Sequence, residues 1–304
     1  MIRHILLLIL LAGMSCFACA DLTIMSYNVE NFFNPAADSL NPDLDYTPSG
    51  SHRWNPARFH RKAEQIARVI ASVTADSFPD IVALNEVEDS ACLALLCRKM
   101  PHYPYRFIHF DGHDRRGIDV ALLYDSLRLS PISSRPVTVS LSLAPTRDIL
   151  YAAFLVDARD TLHVLACHLP SQLGGYVASQ WKRDSVKSVL SHLTDSVLAV
   201  SPSARIVVCG DMNMPPKEDI LPLHNLMTIS SGTHKYRGIW TCLDQFYVSE
   251  SLFAFSYTRI FDASWLQEED RKYLSVRPKR TFNGFRYNRN GFSDHLPILL
   301  TIRF

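Results

Sequence analysis

The stretch Ile206-Val207-Val208-Cys209-Gly210-Asp211-Met212-Asn213 decides the reading of this chain. A short apolar run fit for a strand stops at a glycine, and a carboxylate and an amide follow at once. The same change recurs elsewhere. Asn28 and Glu30 follow the run Leu22–Tyr27, Glu86 and Glu88 follow Ile81–Leu84, and His168 follows Leu162–Cys167. Asp294 and His295 stand just ahead of Ile298–Ile302. Polar groups placed at strand ends along one sheet edge converge while the sheet holds them rigid.

Working outward, Val120–Tyr124 and Phe246–Val248 add two more strands. Helical spacing separates some of these runs. Asn55 is placed to cap a helix that starts at Pro56 and aligns Phe59, Ala63, Ile66, Ala67 and Ile70 on one face. A second helix is expected over about Ser179–Leu193, and a shorter one includes Leu93–Leu96. Tyr151–Val156 and Leu162–Cys167 have no helix between them, so an α/β fold with mixed sheets is expected rather than a purely parallel one. The stretch Asn34–Asn55, with four prolines and glycines inside it, reads as a long loop. No internal repeat or linker divides the chain, so residues 21–304 are expected to form one domain.

Residues 1–20 have the layout of a signal peptide: Arg3, the apolar run Ile5–Ala12, and the small triplet Ala18-Cys19-Ala20. The run is too short for the roughly 20 residues of a membrane span. Export to the periplasm or cell exterior is therefore expected, with lipid attachment at Cys16 or Cys19 as a variant of it. Processing removes Arg3 and no acid, leaving 30 basic against 30 acidic residues. That balance excludes a global basic field of the kind that grips long stretches of phosphate backbone. A hydrophobic content of 47% suits a globular core. Of the later cysteines, Cys167 and Cys209 read as small core residues, and Cys92 and Cys97 do not share a helix face; no zinc-like spacing occurs.

Each polar residue has a structural explanation when taken singly. Glu86 fits a helix entry, Asp211 and Asn213 fit a cap ahead of Met214, and His168 fits a hydrogen-bonded structural histidine. Asp244 is harder to explain in this way, because a carboxylate inside an apolar run is costly without a partner, and a histidine is a suitable one.

Taken together, Met25-Ser-Tyr-Asn28-Val-Glu-Asn, Asp80-Ile-Val-Ala-Leu-Asn-Glu86, Gly117-Ile-Asp-Val-Ala-Leu-Leu-Tyr124, His168-Leu-Pro-Ser, Gly210-Asp-Met-Asn213, Leu243-Asp244-Gln-Phe and Ser293-Asp294-His295-Leu-Pro resemble the endonuclease/exonuclease/phosphatase superfamily. The resemblance runs over almost all of the chain after residue 20. It implies a four-layered α/β sandwich, with two mixed β-sheets face to face and helices outside. It also implies hydrolysis of a phosphoester with Mg2+, or Mn2+ in its place. Glu86 would be the chief metal ligand, with Asn28 and Asp294 near it. Asp244 would orient His295, Asp211 would align or deprotonate the attacking water, Asn213 would donate to a phosphoryl oxygen, and His168 would contact the phosphate or assist the leaving oxygen. Some relatives pair the first histidine with a glutamate, and this chain offers Asp111 in that region.

Two substrate classes follow. A nuclease or related phosphodiesterase is favoured by the basic and aromatic segment Arg271–Arg289, which contains Arg277, Lys279 and Arg280, and by Arg116 before the third motif, Gly117–Tyr124. A phosphorylated lipid head group, as for an inositol phosphatase or sphingomyelinase, would call for an apolar hairpin, for which Leu252–Tyr257 is the candidate. A non-catalytic binding module is disfavoured, because such a module has no need of every one of these polar positions.

Overall fold

The computed structural model describes residues 21–303 apart from 37–43, 76, 142–144, 217–219, 221 and 229–231. The signal-peptide expectation for residues 1–20, with Cys16 and Cys19, lies outside the described residues. In chain order the strands of the first half are β1 (Leu22–Phe32), β2 (Ile81–Val87), β3 (Tyr105–His109), β4 (Asp119–Asp125), β5 (Leu129–Val137), β6 (Ile149–Val156), β7 (Asp160–His168) and β8 (Arg205–Asp211). There follow β9 (His224–Asn225), β10 (His234–Tyr236), β11 (Ile239–Thr241), β12 (Asp244–Val248), β13 (Ser256–Ile260), β14 (Gln267–Asp270), β15 (Ser275–Pro278), β16 (Phe282–Asn283), β17 (Arg286–Tyr287) and β18 (Ile298–Ile302). The helices are α1 (Pro56–Ser72), α2 (Ser90–Arg98), α3 (Tyr176–Val200) and α4 (Glu250–Phe253).

Two six-stranded sheets carry the architecture, in the orders β13-β18-β1-β2-β4-β3 and β5-β6-β7-β8-β12-β9. Both are mixed: β1 and β2 run parallel, as do β7 and β8, and their other neighbours are antiparallel. The period of two along each strand sorts side chains between layers. Ile24, Ala83, Leu122 and Leu300 face Phe154, Val164, Val207 and Phe246 in the apolar seam between the sheets. Met25, Tyr27, Val82 and Leu84 face the other way, onto Phe59, Ile66 and Ile70 of α1 and Leu93 and Leu96 of α2. Leu165, Ile206, Val208 and Tyr247 pack against Val186 and Leu190 of α3. The result is the four-layered α/β sandwich that the motifs imply.

Local chemistry explains the helix starts. The Asn55 side chain accepts a hydrogen bond from the Arg58 amide, with Pro56 at the first helical position, and Asp89 caps α2 through the Cys92 amide. Glu86 is not a helix-entry residue. It sits in β2 at a register shift, in the left-handed region at φ 67°, and Asp89 does the capping instead. Residues 212–216 are not helical, and the Asn213 backbone amide donates to Asp211 Oδ1 in a tight turn. The segment Leu252–Tyr257 is not a hairpin but the end of α4 followed by β13, and it lies near Ala204 and Ile206 at the opening of β8, the end away from Asp211. All five cysteines of the described chain are free.

Gly210 is the tightest point of this framework. Its φ is +140°, and a Cβ there would stand 1.8 Å from the carbonyl oxygen of Cys167 on the neighbouring strand. We expect Gly210→Ala to force β7 and β8 apart and to cost about 3 kcal/mol. Urea denaturation of the variant against the parent measures this; equal midpoints would show that the strand pair tolerates the methyl group.

Candidate active site

The parallel register of β7 and β8 sets His168 beside Asp211, and the antiparallel register of β8 and β12 sets Asp211 beside Asp244. Across the seam, β1 brings Asn28 and β2 brings Glu86 to the same edge. The chain between β17 and β18 delivers Asp294 and His295, where His295 makes an isolated bridge with His234. All of these except the fully buried Asp244 line one cleft of about 390 Å³, together with Asp114, Arg116, Thr146, Arg147, Trp181 and Lys182.

Asp211 Oδ2 is at its centre. It accepts a hydrogen bond from Asn28 Nδ2 at 3.1 Å, and it lies 3.5 Å from His168 Nε2 and 3.7 Å from His295 Nε2. The other nitrogen of His295 is 2.7 Å from Asp244 Oδ2, and Asp244 is fully buried. With the proton on Nδ1, the imidazole donates to Asp244 and turns Nε2 toward the cleft. Glu86 Oε2 accepts the Asn31 amide at 2.9 Å, while Oε1 lies 3.4 Å from Asn28 Nδ2 and 3.9 Å from Arg116. Asn213, at φ 49°, donates its side-chain amide to Leu169 O.

Burial opposes charge on His295, but Asp244, Asp211 and Asp294 together outweigh it and hold the pKa well above 6.5. Burial raises Asp211 from 3.8 to about 6, against the pull of the His295 charge. Burial, reinforced by Arg147, Arg116 and His295, pushes His168 well below 6.5 and keeps it neutral. His234 falls to about 4, from burial and then from His295. For Asp294, burial acts upward, but the neighbouring cationic groups, His295 first among them, prevail and lower it.

Several residues of the cleft were not read from the sequence, among them Trp181, Lys182, Arg147 and His234. Arg147 is buried, donates to the carbonyls of His168 and Leu169, and pairs with Asp114 at 3.0 Å. His234 stands 3.8 Å from Asp294 with its ring 4.7 Å from that of His295. Neither follows a long apolar run, so the strand-end signal passed over both. Of the basic residues expected to meet substrate, Arg116 lines the cleft and Arg277, Lys279 and Arg280 do not. Arg277 pairs with Glu268 at 2.8 Å and donates to Asn283, Lys279 donates to Trp265 O, and Arg280 donates to Lys235 O. The segment they occupy is folded into the β14–β15 and β16–β17 hairpins. Asp111 faces His109 at 3.8 Å, and His168 Nδ1 has no hydrogen-bond partner.

The donor set fits a hard divalent cation. The carboxylates of Glu86 and Asp211 meet at the Asn28 amide, and Asp294 lines the same cleft beside His234 and His295, with no cysteine among them; such oxygens suit a strongly hydrated ion.

A sequence model of the endonuclease/exonuclease/phosphatase family matches residues 23–303. The chain belongs to that family. Its members are phosphoester hydrolases and are typically dependent on a divalent metal. Among solved structures the chain is similar to TDP2 from C. elegans, at 15% identity and a TM-score of 0.62 over 93% of this chain and 75% of that one. It is similar to the catalytic domain of human Nocturnin with a bound sulfate anion, at 15% identity and 0.56 over 92% and 93%. It is also similar to SmcL, at 16% identity and 0.60 over 93% and 99%. These likenesses show the fold. No curated protein sequence matches the chain.

Two outcomes are expected of this family site. Because the folded-state pKa of Asp211 is raised above 3.8 to about 6, the native state holds this proton more tightly than the unfolded chain does. Stability from this group therefore falls as pH rises from about 4 through about 6. Asp211→Asn, a neutral mimic, should show a higher melting temperature than the parent above pH 6 in chelator, and no gain below pH about 4. A lower melting temperature at pH 7 would count against a strained carboxylate. Second, Asp244 and His295 should act as one unit across 51 residues of chain. His295→Ala and Asp244→Asn are each expected to cut turnover by orders of magnitude, with the double variant little worse than His295→Ala. Losses that multiply would separate the pair.

Proposed function

We propose that this chain is an exported phosphodiesterase that uses Mg2+, or Mn2+, to cleave P–O bonds of nucleic acid. The observation that carries the reading is the gathering of a proton acceptor, an imidazolium and a set of oxygen ligands around Asp211 Oδ2 in one cleft. Asp211 is ionised above pH about 6 and takes a proton from the attacking water. His295, charged and held by Asp244, donates to a phosphoryl oxygen as negative charge grows there. His168 is neutral and presents Nε2 to the phosphate or the leaving oxygen. Arg116 and Arg147 supply further positive charge, Arg147 from a fixed buried position. Glu86, Asn28 and Asp294 would hold a cation, which would supply Lewis-acid stabilisation when bound.

Nucleic acid is favoured over other phosphodiesters by Trp181 and Lys182, which stand together on the cleft wall and offer a ring for base stacking beside a cation. Arg280 lies beside the cleft through Lys235, and its charge is felt by His234 and Asp294. A phosphorylated lipid head group is the second reading, supported by the β10–β11 hairpin, whose exposed Tyr236 and Ile239 adjoin His234 at the rim. Export rests on the layout of residues 1–20 alone.

Chelation is expected to abolish hydrolysis and Mg2+ or Mn2+ to restore it, with Glu86→Gln folded but weakened in its metal response. A panel of plasmid DNA, RNA, sphingomyelin and inositol phosphates assigns the substrate; turnover of sphingomyelin alone would move the protein to the second reading. kcat/KM should rise with pH through about 6 as Asp211 loses its proton and fall again at higher pH where His295 loses its own. Arg280→Ala, whose charge reaches His234 and Asp294, is expected to weaken nucleic-acid binding and flatten its salt dependence, whereas Arg277→Ala and Lys279→Ala, engaged by Glu268 and Trp265 O outside the cleft, should leave both unchanged. An unchanged slope in Arg280→Ala would remove it from the substrate path.

A further inference from the structure

We propose a second divalent cation site, outside the cleft, at the base of the loop between β3 and β4. His109, Asp111 and Asp119 hold the ion, and Asp148 stands beside Asp119. The side chains of His109 and Asp119 are only 3% and 8% exposed. Asp119 accepts the Gly112 amide at 3.1 Å, and among the described residues no lysine or arginine is within ion-pair distance of it. The nearby Arg147 is committed to Asp114. A buried carboxylate in this position calls for a cation.

The histidine points to the same conclusion independently. Its Nε2 is buried with no hydrogen-bond partner and lies 3.7 Å from Asp119 Oδ2; its Nδ1 lies 3.8 Å from Asp111 Oδ1. Both separations are too long for hydrogen bonds. Donors bound at about 2.1 Å to one ion stand about 3.5 Å apart, close to the gap between His109 and Asp119. One donor atom from each of the three residues falls within a mutual 4.8 Å, and exposed Asp111 is free to close the remainder. Asp148 Oδ1 is likewise buried and, among the described residues, without a hydrogen-bond partner. By contrast, the carboxylates of the Glu88, Asp89 and Cys92 cluster already accept from the Asn34 amide, the Asn34 side chain and the Cys92 amide.

An imidazole with two or three carboxylates suits zinc or manganese better than magnesium or calcium. The ion would clamp residues 110–118, the loop that presents Asp114 and Arg116 to the cleft. Its role is therefore to hold that loop, not to touch substrate.

The test is Zn2+ titrated into metal-stripped full-length protein by calorimetry, with amide exchange of residues 110–118 as a second readout. We expect His109→Gln to lose one zinc equivalent and Asp111→Asn to weaken that equivalent at least tenfold. Glu86→Gln should keep it, and zinc should slow exchange in the loop of the parent and of Glu86→Gln but not of His109→Gln. Wild-type stoichiometry in His109→Gln, or disappearance of this equivalent in Glu86→Gln, overturns the proposal. If His109→Gln does not fold, the surface variant Asp111→Asn decides, unchanged affinity there being the refuting result. Both readouts are independent of turnover, so they stand whether or not the phosphodiesterase reading holds.

Discussion

Asp211 is a carboxylate that the fold has taken out of water and then surrounded. It is 2% exposed, and burial alone would hold it protonated, yet Asn28 donates to it and the charged ring of His295 faces it. Removing a carboxylate from water is costly, and the cost is offset only if donors and cations are fixed around it before any substrate arrives. That requirement sets the rest of the site. His295 keeps its charge because Asp244 stands behind it, and Asp244 is tolerated at full burial because His295 is in front of it.

The same requirement reaches into the frame. His295 must arrive from a segment between β17 and β18, so that segment has to be anchored. Glu30 accepts the amides of Thr281 and Phe282, and buried Lys62 of α1 donates to Thr281 Oγ1 and Phe292 O. Ser293 Oγ then donates to Asn28 O, so the chain reaches Asp294 and His295 already tied to the end of β1. Burial lowers Lys62 to about 8 and, with the charge of Asp294, raises Glu30 to about 7, and each of the pair offsets part of the other's shift. A helix residue remote from the cleft thereby helps to position His295.

Rigid strand ends and strained turns serve that positioning. Glu86, Asn213, Glu30 and Asn31 all have positive φ, and each adjoins a group that the cleft uses. Such backbone is held in place only when the surroundings over-determine it. Here two packed sheets and the hydrogen bonds of the cleft do so.

The sequence by itself determined the strands, the face of α1 and the polar residues that close each apolar run, because period and capping are local properties of the chain. Through the order of its motifs it also determined the family. Only the tertiary structure decided which of the charged residues meet. Arg147 and Lys62 carry no local signal, since their roles come from burial against segments far away in the chain. Arg277 and Arg280, by contrast, look like a basic surface in sequence but fold into hairpins where Glu268 and Lys235 O occupy them. Local pattern fixes the direction in which a side chain leaves its own strand. Its charge partner is set by register and by the packing of sheets, which depend on the whole chain at once.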